Sequence, residues 1–377
     1  MKSLGIVWAC VLFSACCGPS KDRIERIRED GVDVVMNHVE PYRTGGPATF
    51  SLDEIFRLDT EDPEFLKIGI PDIHGFDVNS RGDIFILRTI RGSEDFIFKF
   101  DRNGKFAASF GHPGEGPGEL QSPRHIAVDA VDEVLVVDGG RALLAKYGRE
   151  GKFIGAKPWP KVGPIAAGPG GTLIFRETDM NFETGKPVYS SSLKILDSGL
   201  MERSAVAALK VEMEPTDFRA IEPLLCWTSS RDEIFIASEE RGYEISVFDR
   251  VGKLKRKIRK EFEPIPVSEK DREKILKPLP KEMRAMAHFP ESHPPIQALI
   301  AAEDGKLLVE TFEPGGRSGE YVFDIFNPDG AFVGQKSLDV YLWENYPWAR
   351  VKDDRFYALR EKANGFKELV ISRLTWE

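Results

Sequence analysis

Short apolar runs, each set off by a turn residue, recur along this chain. Six are in phase: Asp83–Leu87, Glu133–Val137, Thr172–Arg176, Glu233–Ala237, Lys306–Glu310 and Arg355–Leu359. They are rich in β-branched and aromatic residues, as strands are. The residues just before them are Gly82, Asp132, Gly171, Asp232, Gly305 and Asp354. All are Gly or Asp, which tolerate the backbone of a tight turn. A further strand follows each run, such as Phe96–Asp101, and then a Gly turn such as Arg102–Lys105 leads into another. The counterparts are Leu143–Tyr147 with Gly151, Leu193–Asp197 with Gly199, Ile245–Asp249 with Gly252, and Tyr321–Asn327 with Gly330. Upstream of each Gly or Asp turn lies a first strand, such as Gly75–Asn79 and His125–Asp129.

Each unit therefore predicts four strands and three turns. Such units repeated radially are propeller blades, and a sandwich would not repeat in phase. The expected fold is an all-β, six-bladed β-propeller. Its last unit ends at a third strand, Leu369–Leu374, while Thr49–Leu58 is an unclaimed strand upstream of the first blade. That strand is predicted to complete the last blade, closing the ring and covering edges otherwise open to pairing.

Residues 262–295 break the pattern. Ser268–Leu276 reads as a helix with Ser268 as its N-cap and Asp271 three residues on, and Lys281–His288 as a second. Prolines flank both, including Pro266, Pro278, Pro280 and Pro290. This small helical insertion is expected to decorate one face of the propeller. It serves there either as a docking piece or as packing alone.

The N-terminus has a different pattern. Lys2 precedes an apolar stretch from Leu4 to Phe13, and Ser14 and Ala15 lead to Cys16. This is the layout of a secretory signal. Leu12–Cys16 resembles a lipobox, with Phe13 where Leu is more usual. The resemblance implies cleavage before Cys16 and its acylation. The expected organisation is a signal peptide over 1–15, a lipidated tether over 16–46 with one ordered piece at Val32–Val39, and the propeller over 47–377.

Composition narrows the function classes. The chain has 377 residues, 41% of them hydrophobic, enough for one large core. A net charge of −9 argues against a nucleic-acid backbone as the main partner. Of four cysteines only Cys226 lies beyond residue 17, so the body holds no internal disulfide and no cysteine metal cluster. The membrane is reached through the lipid alone.

The passage Phe110–Asp129, reading FGHPGEGPGELQSPRHIAVD, resembles the inter-blade passage of NHL-repeat proteins. Over about residues 30–377 the chain resembles bacterial six-bladed β-propeller lipoproteins, which have no single established activity. The likeness implies fold and anchoring, and little about chemistry. The Gly114–Gly118 loop runs from strand to strand with no helix to receive an anion, so it reads as a crossover rather than a phosphate cradle.

Propeller chemistry is sought where first strands converge. Aligned on the turn residue, one level of the ring holds His74, Arg124, Gly163, Leu224, Gln297 and Tyr346. The next holds Gly75, His125, Pro164, Leu225, Ala298 and Pro347. Asp77 aligns with Ala127, Ala166, Trp227, Ile300 and Ala349. No level repeats His or carboxylates as a metal site would. Candidate channel residues are His74, Asp77, Arg124, His125, Gln297, Tyr346 and Trp348, with Trp343 nearby. Two functions stand: a non-catalytic binding or scaffold propeller for a protein, peptide or glycan, or a metal-dependent envelope hydrolase or lyase built on His74, Asp77 and His125. No motif implies a cofactor. Cys226 sits in an apolar strand and reads as inert core.

Overall fold

A computed structural model describes residues 24–43, 45–89, 94–161, 163–182, 186–212, 218–221, 224–317, 319–340 and 349–377. Residues 1–23, Cys16 among them, and Trp343, Tyr346 and Trp348 lie outside the described residues.

The chain is a six-bladed β-propeller of four-stranded antiparallel blades. Blade 1 is Gly75–Val78, Ile84–Leu87, Ile97–Phe100 and Phe106–Phe110. Blade 2 is Pro123–Val128, Val134–Asp138, Leu143–Tyr147 and Phe153–Pro158. Blade 3 is Ile165–Ala167, Leu173–Asn181, Val188–Leu196 and Glu202–Glu212. Blade 4 is Leu225–Ser229, Glu233–Ser238, Glu244–Asp249 and Leu254–Lys260. Blade 5 is Ala298–Ala301, Leu307–Pro314, Tyr321–Phe326 and Phe332–Leu338. Blade 6 takes Ala349–Lys352, Arg355–Glu361 and Lys367–Trp376 from the C-terminus and Phe50–Asp59 from the N-terminus. That last pairing runs antiparallel from Glu368↔Asp59 to Trp376↔Phe50, so the expected closure is present.

Apolar side chains from facing blades fill each gap. Ile84, Ile86 and Phe98 of blade 1 meet Tyr357, Leu359 and Leu369 of blade 6, all buried. Phe85, Leu87 and Ile97, on the opposite face of blade 1, meet Ile126, Val134 and Val136 of blade 2. Alternation along each strand thus feeds two cores, one on each side of a blade.

The turns between third and fourth strands in blades 1, 3, 4 and 5 share one device, whereas Gly148 opens that of blade 2. Asp101, Asp197, Asp249 and Asn327 each accept backbone N–H bonds at the side-chain oxygen from residues two and four further on. Asn79 and Asp129 do the same between first and second strands. This local bonding is why Asp or Asn opens these turns. In the third blade the left-handed residue is Leu200, not the expected Gly199.

Two further turns depart from the alignment. Asp353, not Asp354, is left-handed, and Asp232 is not. Blades 4 and 6 close this hairpin one residue earlier, so Cys226 pairs with Ala237 and Ala349 with Ala358. A one-residue shift moves every later side chain to a different level of the ring.

The segment expected to be mostly tether also folds. Glu25–Glu29 and Val32–Asn37 form a hairpin on the outer edge of blade 4, with Val32–Asn37 parallel to Leu254–Lys260. Val34 and Val35 are fully buried there. The insertion holds helix Glu269–Leu276, with the expected reciprocal cap between Ser268 and Asp271, and a shorter helix, Lys281–Ala285. Beyond it Ala287–His288 pairs in parallel with Phe218–Arg219, which ends the second helix sooner than expected. Among the described residues no helix is long and apolar enough to cross a membrane.

Candidate functional site

Six first strands stand innermost, and each runs from one face of the disc to the other. Crossovers between blades, and the insertion, lie on the face where first strands begin. The tight turns lie on the opposite face. The candidate residues divide between these two ends of the channel.

At the crossover end lie His74, Arg124, His125 and Gln297, all at the starts of first strands. Second strands add Arg176, whose N–H donates to the Pro164 carbonyl (3.0 Å), and Glu310, whose carbonyl accepts from Gln297 N–H (2.8 Å). Sequence alignment passed over both, because Arg176 and Glu310 occupy a position filled by Leu87, Val137, Ala237 and Leu359 in the other blades. A charged residue at an otherwise apolar position was the signal available.

Burial disfavours the charged forms of His74, His125, Glu310 and the adjoining Cys226. Burial pushes the His125 imidazole down to about 3, and the nearby charges of Arg176 and Arg124 act in the same direction. Burial likewise lowers His74, assisted by Lys367. The Cys226 thiol is pushed up to about 12 by burial, and donates to the Gln297 carbonyl at 3.1 Å. Glu310 is fully buried, neither of its carboxyl oxygens has a hydrogen-bond partner, and desolvation raises it well above the carboxylate range.

Asp77 sits lower, toward the turn face. Its carboxylate accepts from Val78 N–H (2.9 Å) and Val128 N–H (2.8 Å) and pairs with Arg350 (3.3 Å). The shortened hairpins of blades 4 and 6 explain this partner. They bring Thr228 and Arg350, rather than Trp227 and Ala349, level with Asp77. Thr228 Oγ1 accepts from Ala301 N–H (3.2 Å), and Ser229 Oγ donates to the Ala167 carbonyl (3.0 Å). Lys352 donates to the Val78 carbonyl (3.1 Å). This level therefore stitches blades 1 to 2, 3 to 4, 4 to 5 and 6 to 1. Asp77 spends its oxygens on that stitching, and it does not join His74 and His125 in a cluster. Among the described residues, no three His, Cys, Asp or Glu side chains come together as a cation site.

The Gly-rich passage is tied down as a crossover. Arg141 donates to the Gly116 and Glu119 carbonyls (3.0 and 2.8 Å), and Tyr147 to the Gly118 carbonyl (3.0 Å). Gly114 and Gly118 have φ of 158° and 79°. A Cβ at Gly114 would lie 2.0 Å from Glu119 Oε2, and one at Gly118 2.9 Å from Phe153. Close packing, not a ligand, accounts for these glycines.

Comparison with known proteins agrees with this architecture. No curated protein matches the chain. A Bacteroides fragilis protein described as exported shares its fold with a TM-score of 0.52 at 12% identity, covering 91% of this chain and 99% of its own. A member of the duf4221 family from Bacteroides vulgatus gives a TM-score of 0.50 at 10% identity, over 88% of this chain and 100% of its own. The family model described as 6-bladed beta-propeller matches residues 50–207, from the closing strand of blade 6 into the outer strand of blade 3.

Proposed function

We propose that this chain is exported, held on the cell envelope by lipid on Cys16, and acts as a non-catalytic binding or scaffold propeller. Its ligand is a protein, peptide or glycan docking on the crossover face. One observation carries the reading. Where a channel enzyme needs a base, a nucleophile or a metal, this ring presents a histidine too weakly basic to take a proton at neutral pH. Elsewhere on the ring are a thiol that burial pushes up to about 12 and a carboxyl that burial raises well above its ordinary value. A weakly basic imidazole and a protonated thiol offer a ligand hydrogen bonds rather than a base or a thiolate nucleophile. The insertion supports the same face as the working one. It is joined to the blade 3–4 crossover through Ala287–His288, and it presents exposed Met286 beside that junction. The description of the Bacteroides fragilis relative as an exported protein supports export.

The test places a photo-crosslinking residue at Met286 on the crossover face or at Val251, exposed on the turn face, in cells making the full chain. Specific adducts from Met286 and none from Val251 are expected. The reverse pattern overturns the assignment of face. Stoichiometric zinc or calcium in purified protein, lost on His74→Ala, overturns the non-catalytic reading in favour of a metal-dependent hydrolase or lyase. Cys16→Ser is expected to release the protein from the membrane fraction.

A further inference from the structure

The turn face holds a second kind of site, distinct from the partner surface. Two cavities adjoin there. The first, about 430 Å³, is the channel mouth, reached by Asp77, Trp227, Ser229, Arg231, Arg350 and Lys352. The second, about 460 Å³, runs outward between blades 2 and 3; its apolar walls are Leu135, Leu144, Ile154, Leu173 and Leu200, and it is also lined by Lys157 and by Lys146, which pairs with Asp129 and Glu133. Ala130, Gly170 and Gly171 line both. These residues carry at most a methyl group, and a Cβ built on Gly171 meets nothing within 4 Å. The sill between the two spaces is therefore low.

The two halves differ in chemistry. Ile154 in the groove is 53% exposed and Val131 at its edge 72%, so apolar surface is left open to water. A concave apolar patch beside a few fixed polar groups is the usual form of a small-molecule site. The mouth is charged, and its charges do not balance. Three cations line it (Arg231, Arg350, Lys352) against two carboxylates (Asp77, Glu303), leaving one positive charge over. Arg350 is taken by Asp77, and Arg231 lies 3.7 Å from Glu303. The surplus is Lys352, which reaches the Val78 carbonyl and no carboxylate among the described residues.

We propose that this joined space binds a free monoacyl anion, with its carboxylate on Lys352 and its chain laid over the Ala130–Gly171 sill into the groove between blades 2 and 3. Charge and burial together set the direction: Lys157 in the groove also meets only a carbonyl, that of Gly199, but it is exposed to water, whereas Lys352 is half-buried. The groove takes the part of the ligand that water rejects, and the mouth supplies the sheltered, unmatched cation.

The chain-length dependence is the signature. Each methylene that enters an apolar groove tightens binding about fourfold. Octanoate, decanoate and dodecanoate, titrated calorimetrically below their micelle concentrations, are expected to bind one site with affinity rising at about that rate. Lys352→Met is expected to weaken decanoate about tenfold and to leave decanol nearly unchanged, since only the charge-assisted contact is lost. Ile154→Asp, a surface change that the fold tolerates, is expected to weaken decanoate and decanol alike. Thermal melting of each variant checks that it is folded. No saturable binding, or an affinity independent of chain length, overturns the proposal. So does binding to phosphatidylglycerol vesicles without binding to free decanoate. An effect of Lys157→Met in place of Lys352→Met overturns the placement of the carboxylate. Because the crosslinking at Met286 reads the opposite face, decanoate binding and partner capture fail or succeed separately.

Discussion

Asn37 ties three parts of the propeller together, and replacing it tests whether the N-terminal hairpin belongs to the fold. Its side chain is 1% exposed. Nδ2 donates to the Arg259 carbonyl (3.0 Å) and the Gly330 carbonyl (3.1 Å), while Oδ1 accepts from Phe332 N–H (2.8 Å). The hairpin, the outer strand of blade 4 and a turn of blade 5 thus meet on one amide. Asn37→Ala removes all three bonds and leaves the buried Phe332 N–H without a partner. A net bond is worth about 1 kcal/mol and an orphaned buried donor costs about 1–3 kcal/mol, so the loss is expected to be about 3 kcal/mol. Asn37→Asp keeps an acceptor for Phe332 but turns an oxygen toward two carbonyls. At neutral pH it is expected to cost more than Asn37→Ala. Repulsion and burial raise the new carboxyl in the folded state, so the folded protein binds the proton more tightly than the unfolded chain. Its stability therefore recovers as pH falls toward 4. The assay is urea unfolding followed by fluorescence and circular dichroism together, with the midpoint shift read at constant slope. A loss below about 0.5 kcal/mol, the scale of an ordinary surface change, would refute the reasoning. So would Asp and Ala variants that respond identically to pH.

Other outcomes follow from the same structure. Deleting residues 47–60 removes the closing strand with fully buried Phe50 and nearly buried Leu58, and is expected to abolish cooperative unfolding of the whole ring; an unchanged melting profile defeats the closure. His125 is held near 3 in the folded state against an unfolded value near 6.5, so the unfolded chain takes up a proton first as pH falls. Stability is expected to drop between about pH 6.5 and 3, and His125→Asn to flatten that part of the profile; an unaltered profile contradicts the burial argument. Cys226, buried with its thiol pushed up to about 12, is expected to resist iodoacetamide in the folded protein at pH 8 and to react after unfolding, read by mass spectrometry.

Much of the fold was legible because propeller blades are local. The pairing of Ile84–Leu87 with Ile97–Phe100, or of Leu143–Tyr147 with Phe153–Pro158, joins neighbouring segments through short turns, and alternation with Asp, Asn and Gly marks them directly. The closing strand was legible by subtraction, since blade 6 lacked a fourth strand. The Glu269–Leu276 helix carried its own cap residues. The hairpin at Glu25–Asn37 was harder. Its polar, charged strand Glu25–Glu29 stays largely exposed, and only contact with blade 4 buries Val34 and Val35.

The candidate site shows where local patterns end. Residue types alone picked out His74, Asp77, Arg124, His125 and Gln297 as polar groups on first strands. Their grouping depended on tertiary register. Hairpins one residue shorter in blades 4 and 6 raised Thr228 and Arg350 to the level of Asp77, and no composition or spacing rule measures that shift. Arg176 and Glu310 became part of the ring only because antiparallel pairing sets the end of a second strand beside the start of a first. The sequence by itself determined six four-stranded units, their closure and their capped insertion, because each depends on residues close along the chain or on a count of strands. Tertiary structure alone decided which side chains share a level of the channel, which have their charged forms disfavoured by burial, and that the mouth holding Lys352 adjoins a largely apolar groove. Those properties arise from distance and desolvation between segments far apart in sequence.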